Sequence, residues 1–412
     1  MPMASCTGEL TIRALLNSLD PPGLADELRE RFGPYPASRY IYGEVWYDPL
    51  ETRAMADALV RAVEVRSRAT EWLLGERLPN WDLALVVVSE FHSAAEALYH
   101  GWDESHPLHG EASSGAAHEG IVGVYEAADC MVARLLERLP HARFVLFNLH
   151  GMGPNRSDIA SMALLPELMF RQQFGRPYMR DWPVDRQGRP RSPARHGWSG
   201  SMIRRLPKLD LLKWAGAKAL GLQQASVPLG WMPAVHFQRF WRDMDAFALP
   251  SFYDGRVRVN LSGRERHGMV EPEGYEAVLD RIESMLLACR HPDRDSPIVA
   301  SIRRNARPPL ELEPSEADLV VIWDQNTQGL VHSRLGQIGP LPFSRPGGHT
   351  GGPGVAYIHG EGIGPGRRLL RSAFDVVPTV IELLGLEPLA VSGESFADQI
   401  CELRADLAVG GP

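Results

Sequence analysis

Four short runs of continuous apolar or β-branched character constrain this chain most: residues 83–88, 144–147, 319–323 and 355–358. Each has the length of a strand buried on both faces, as in a covered, largely parallel sheet. Between the first two, residues 120–139 place Val122, Val124, Tyr125, Ala128, Val132, Leu135, Leu136 and Leu139 near i, i+3, i+4, i+7 spacing, which predicts an amphipathic helix. Strand, helix, strand makes a crossover unit. Residues 373–386 read as a second helix, which Pro378 can enter only in its first turn and Gly385 stops. The section from 166 to 314 differs in texture. It is rich in Trp, Arg, Pro and Gly with weakly marked strands, and reads as an insertion decorating a sheet domain.

Composition excludes several function classes. With 412 residues, 44% hydrophobic and 23% charged, the chain is an ordinary globular protein of two or three units, or one large α/β domain with an insertion. No stretch reaches the roughly 18 uninterrupted apolar residues of a membrane span, and the first twenty residues lack a basic segment followed by an apolar one. A cytoplasmic protein that does not engage membranes is therefore expected. Cys6, Cys130, Cys289 and Cys401 are far apart and form no CxxC pair, so neither a disulfide framework nor a thiolate zinc site is indicated. A net charge of −8 opposes binding to a nucleic acid polymer. The basic, Pro- and Gly-rich segment 180–208 reads as a solvated surface loop. There is no GxxxxGK[ST] loop and no GxSxG elbow, and the glycines of 347–366 do not fit GxGxxG.

Chemistry concentrates at the ends of the apolar runs. Directly after the first come Glu90, His92, Glu96, His100, His106 and His109, and open α/β sheets place their ligands at the carboxyl ends of strands. His92 and Glu96 stand at i, i+4, so on a helix they share one face and could hold a divalent ion. After the second run, Asn148 and His150 precede Gly151, Gly153 and Pro154, a turn whose glycines let a ligand approach the backbone. His349 sits in a glycine-rich loop leading into the fourth run. Three histidine-bearing loops at strand ends are the arrangement needed to converge on one or two metal ions.

These residues resemble the type I phosphodiesterase and nucleotide pyrophosphatase family of the alkaline phosphatase superfamily. The likeness lies in residues 81–107, in 144–154 (FVLFNLHGMGP), in 253–275 (YDGRVRVNLSGRERHGMVEPEGY) and in 349–393, which end in DVVPTVIELLGLEPLAVSG. It implies an α/β fold: a three-layer α/β/α sandwich with a central mostly parallel sheet, formed by 1–165 and 315–412, with 166–314 as an inserted subdomain or cap. It also implies divalent metal, usually zinc, and a small phosphate or sulfate ester as substrate. The family's metal positions fall on His92, Glu96, His150 and His349.

The chain departs from the family pattern at several points. His92 and Glu96 exchange the usual Asp and His, and Leu149 replaces an aspartate, leaving Asn148 to offer one neutral oxygen. The family's early strand and nucleophile have no clear counterpart; the nearest imitation is 40–48 with Thr70 downstream. The expectation is a metal-dependent phosphodiester hydrolase-like protein with an incomplete or altered active site, with a sheet edge or groove left open where the first strand belongs. The alternative is a catalytically degenerate homologue acting as a binding or partner protein, with a partner chain or a second copy of itself. Trp182, Trp198, Trp214, Trp231 and Trp241 offer aromatic surface in the insertion, more often packing than binding.

Overall fold

The computed structural model describes residues 21–40, 47–155, 158–193, 197–207, 232–324, 328–364 and 370–401. The helices are α1 (Leu24–Phe32), α2 (Pro49–Trp72), α3 (Glu90–Trp102), α4 (Ser114–Arg138), α5 (Leu165–Phe174), α6 (Gly197–Ile203), α7 (Tyr275–Leu287), α8 (Val376–Leu383) and α9 (Ala397–Cys401). The strands are β1 (Phe144–Phe147), β2 (Gly153–Pro154), β3 (Ala246–Leu249), β4 (Gly255–Val259), β5 (Val299–Arg304), β6 (Leu319–Trp323), β7 (Leu330–His332), β8 (Gly336–Ile338), β9 (Gly347–Gly348) and β10 (Ala356–His359). The fold is mixed α/β.

The first hydrophobic core is helical. Asp48 caps α2 by accepting from the amides of Leu50 (2.8 Å) and Glu51 (3.1 Å), and Pro49 follows at the first helical position. Met55, Leu59 and Val63 of α2 pack with Leu98 of α3 and with Ile121, Val124, Ala128, Met131 and Leu135 of α4. The helix read at 120–139 thus forms, and the 3.6-residue period places Val124, Ala128 and Leu135 inside while Tyr125 faces out, 58% exposed. A Cβ at Gly120 would collide with Ala56, so the α2–α4 crossing depends on two small residues.

The second core surrounds a four-stranded antiparallel sheet of order β3-β4-β6-β5. Three of its strands come from the section where strands were weakly marked. Arg256 and Arg258 alternate with Val257 and Val259 in β4, and the polar positions masked the pattern. β6, the third apolar run, lies after residue 315 yet pairs with β4 and β5 on either side. Asp318, at the start of β6, is fully buried. It accepts from both terminal nitrogens of Arg264, from the Tyr275 hydroxyl and from the Val259 amide, all at 2.7 Å. Trp182 and Trp198 are core residues here, the latter donating to the Pro342 carbonyl at 2.7 Å, whereas Trp214 and Trp231 lie outside the described residues.

The remaining apolar runs behave differently from buried strands. β1 and β10 pair antiparallel, Phe144 opposite His359 through Phe147 opposite Ala356, and among the described residues neither has another strand beside it. Every sheet pairing between described strands is antiparallel. Residues 83–88 join no strand, and Leu85 and Val87 are 80% and 72% exposed. Continuous apolar character marks a segment that needs cover on two faces; it carries no information on whether the cover is present. The helix read at 373–386 forms as a turn, Ala373–Asp375, followed by α8, with a capping box between Ser372 and Asp375 and Gly385 in the left-handed conformation after it.

Candidate metal centre

Two backbone pairings bring distant loops together. Gly153 pairs with Gly348 and Pro154 with Gly347, while His150 is bridged to Pro353 and the Gly151 amide donates to the Gly352 carbonyl at 2.8 Å. Loops 148–154 and 347–355 therefore run antiparallel and carry His150 and His349 side by side. The second loop lies directly on α3. A Cβ at Gly347 would fall onto the Ala95 carbonyl, so only glycine permits this approach.

On α3, His92 and Glu96 share the face turned to that loop. Nε2 of His92 is 2.8 Å from Nε2 of His349 and 3.4 Å from Oε1 of Glu96, and the same Glu96 oxygen is 4.0 Å from Nε2 of His349. Four tetrahedral ligands at zinc's usual 2.0–2.1 Å stand about 3.3 Å apart. The three separations bracket that value. His150 joins the cluster at one remove, its Nε2 being 3.0 Å from Nδ1 of His349.

Beneath the histidines lies a buried ionic triad of which the sequence singled out Glu96 alone. Arg345 donates through Nη1 to Glu96 and through Nε to Asp158 at 2.7 Å, and the three side chains are 9%, 0% and 1% exposed. Asn155 also donates to Asp158, at 2.7 Å. One guanidinium between two carboxylates leaves an excess negative charge, and Oε2 of Glu96 and Oδ1 of Asp158 are buried without a hydrogen-bond partner. Such a group must take up a proton or a cation. Burial accordingly pushes the Glu96 carboxyl up to about 7, against the lowering effect of Arg345. Burial also opposes the Arg345 charge, but Asp158 and Glu96 outweigh it and hold the guanidinium above its usual pKa.

The imidazoles are kept neutral. Burial, with His92 and His150 adding to it, pushes His349 down to about 4, and burial followed by Arg345 and His150 lowers His92. Neutral rings expose the lone pairs that a metal ion takes. Tyr253 packs edge-on against His349 with ring centres 5.1 Å apart, and burial raises its hydroxyl to about 12, so it is a proton donor and not a base near neutrality.

Other residues near the apolar runs have structural work. Glu90 is buried and held by Arg66 at 2.8 Å and the Tyr35 hydroxyl at 2.8 Å. His100 bonds the Ser113 hydroxyl at 3.1 Å inside the helical core, and His106 accepts from the Leu108 amide. His109 contacts the His100 carbonyl. Asn148, expected to offer an oxygen, instead uses Oδ1 to accept from the Val355 amide at 2.6 Å, clamping the two loops. Leu149 is 62% exposed. Thr70 is buried within α2, and 41–46 of the proposed early segment lie outside the described residues. Among the described residues, no Ser or Thr hydroxyl is hydrogen-bonded to the rings of His92, His150 or His349. Asp158 and Arg345 lie just outside the two loops that carry His150 and His349, four residues after Pro154 and two before Gly347, and that nearness in sequence was the one available signal. No protein family, curated protein or solved structure matches this chain.

Proposed function

We propose that His92, Glu96 and His349 hold one divalent ion, zinc by ligand type, and that the chain is a phosphate- or sulfate-ester hydrolase-like protein of the alkaline phosphatase superfamily with an altered site. The observation that carries this reading is the convergence of two neutral imidazole nitrogens on a buried carboxylate in a pocket of net negative charge. A divalent ion there supplies Lewis acidity toward an ester oxygen. His92 and His349 offer lone pairs and Glu96 offers the charged ligand; Arg345, itself held by Asp158, donates to Oε1 of Glu96, the oxygen that faces the histidines, so an ion there would share that oxygen with the guanidinium. Arg345 is buried and engaged through Nη1 by Glu96, through Nε by Asp158 and through Nη2 by the Tyr253 hydroxyl at 3.5 Å, and is therefore not the group that clamps the ester. The sandwich with a mostly parallel sheet, and a cytoplasmic location, belong to the same proposal. No described helix is long and apolar enough to cross a membrane.

The second reading, a degenerate homologue acting as a binding or partner protein, is favoured by two observations. Among the described residues no Ser or Thr hydroxyl is hydrogen-bonded to the histidine rings, and the apolar side chains of Leu85, Val87, Val355 and Tyr357 are left 59–80% exposed. Elemental analysis of the purified protein and of His92→Ala and His349→Ala, with a chromogenic phosphodiester assay on the same samples, separates the readings. Stoichiometric zinc lost in both variants supports the metal centre, and turnover with it supports the hydrolase. Zinc without turnover favours the binding protein, and no zinc in the wild type removes the metal reading.

A further inference from the structure

The inference that follows rests on the metal reading and concerns the one expected ligand outside the three-residue group. Nδ1 of His150 faces the Gly151 carbonyl at 2.9 Å. A carbonyl only accepts, so this nitrogen carries the ring proton. In the neutral ring the opposite nitrogen, Nε2, is then an acceptor, and it meets Nδ1 of His349 at 3.0 Å. Nδ1 of His349 must therefore be the donor, which leaves its Nε2 as a bare lone pair. That lone pair accepts from Nε2 of His92 at 2.8 Å, so His92 carries its proton on Nε2 until an ion displaces it to Nδ1, and it lies 4.0 Å from Glu96. The chain of hydrogen bonds from the Gly151 carbonyl through two imidazoles thus sets which nitrogen of His349 is free to ligate.

The same geometry argues against His150 as a fourth ligand. The two nitrogens of one imidazole direct their bonds more than a right angle apart. A nitrogen held by Nδ1 of His349 is on the wrong side of that ring to share an ion bound at Nε2. We propose that His150 is a positioning residue, which fixes the tautomer and ring orientation of His349 from outside the metal's ligand set. Outer partners of this kind hold the ligand in place and raise its basicity, and their loss weakens metal binding by about 10–100-fold. The loop pairing fixes His150 itself: its backbone is bridged to Pro353 and its carbonyl accepts from the Asn148 side chain at 3.1 Å.

The test uses the full chain, stripped of metal by a chelator and titrated with Zn²⁺ against a chromophoric competitor. His150→Ala is expected to keep one ion per chain but to bind it about 10–100-fold more weakly. His150→Gln, whose side-chain oxygen can accept from Nδ1 of His349 but is a poor zinc ligand, is expected to recover binding to within about threefold of the wild type. Equal weakening in both variants would mean that the His150 nitrogen itself ligates, and no weakening in His150→Ala would mean that nothing is positioned; either result overturns the proposal. Wild-type protein that takes up no zinc overturns the metal reading first, and this inference with it. The His150 side chain is exposed, so both variants should match the wild type in metal-free circular dichroism.

Discussion

Arg345→Met tests the charge balance on which the candidate site is built. In the wild type the guanidinium lies between two carboxylates, of Glu96 and Asp158, that are 0% and 1% exposed. Methionine keeps much of the aliphatic volume while removing the charge, so the cavity contribution is small. Both carboxylates are left buried without a counter-ion. Removing one partner from a buried pair costs about 3–5 kcal/mol, so urea unfolding of the metal-free variant at pH 7 should shift its midpoint down by on the order of 1 M. Zinc should reverse much of that loss. Counting only these three side chains, the charge around a bound ion moves from −1 to −2. Because Glu96 loses the lowering effect of Arg345 and is protonated in the metal-free variant near neutrality, zinc must displace that proton. The variant should therefore bind zinc at least about tenfold more tightly than the wild type at a pH high enough to ionise Glu96. A ligand at 100 to 1,000 times its Kd adds about 2.7 to 4.1 kcal/mol, comparable to the predicted loss. The measurement is a pair of unfolding curves, with chelator and with saturating zinc, for each protein. If zinc stabilises variant and wild type equally, the triad is not coupled to the ion and the charge argument fails.

Three further outcomes follow from other parts of the structure. Gly347→Ala should push the second loop off the Ala95 carbonyl and separate His349 from His92, weakening zinc binding by at least about tenfold, and unchanged affinity would show that the close approach does not set the site. Burial lowers the His100 pKa to about 4, so between there and about 6.5 the unfolded chain binds more protons than the fold, and stability rises with pH across that window by about 3 kcal/mol. Urea midpoints measured from pH 4.5 to 7.5 should show a flatter profile in His100→Gln, and parallel profiles would assign the pH dependence to other groups. Asp318→Ala strands Arg264 and leaves the Tyr275 hydroxyl and Val259 amide unpaired, a loss of about 3–5 kcal/mol that thermal unfolding would detect.

Much of the candidate site was legible in the sequence because its signals were local. His92 and Glu96 share a helix face by spacing alone, and the glycines around His150 and His349 announced loops that approach another backbone. The helix at 120–139 was legible for the same reason. The sheet was less so. β4 alternates valines with arginines, Arg256 paired with Asp254 and the buried Arg258 held by Glu265 and by the distant Glu313 and Glu316 carbonyls, and such a strand does not read as apolar. Residues 83–88 show the converse error, since their composition calls for burial that no described strand provides.

Asp158 and Arg345 escaped notice because a buried charge is recognisable only through its partner. Arg345 is one of many arginines in the chain, and nothing in SRPGGH distinguishes it from those that line the surface. Its significance arises when the 347–348 backbone pairs with 153–154, for that register sets Asp158 and Glu96 on either side of it. The pairing that brings His349 to His150 therefore also assembles the negative pocket beneath them, and the two features stand or fall together. A change that slips this two-residue ladder, such as Gly348 replaced by a bulky residue against Asn155, should remove the ligand geometry and expose the triad at once. A protein that lost zinc binding through such a change yet kept Arg345 unreactive to an arginine-selective dicarbonyl reagent would show that the two are built independently.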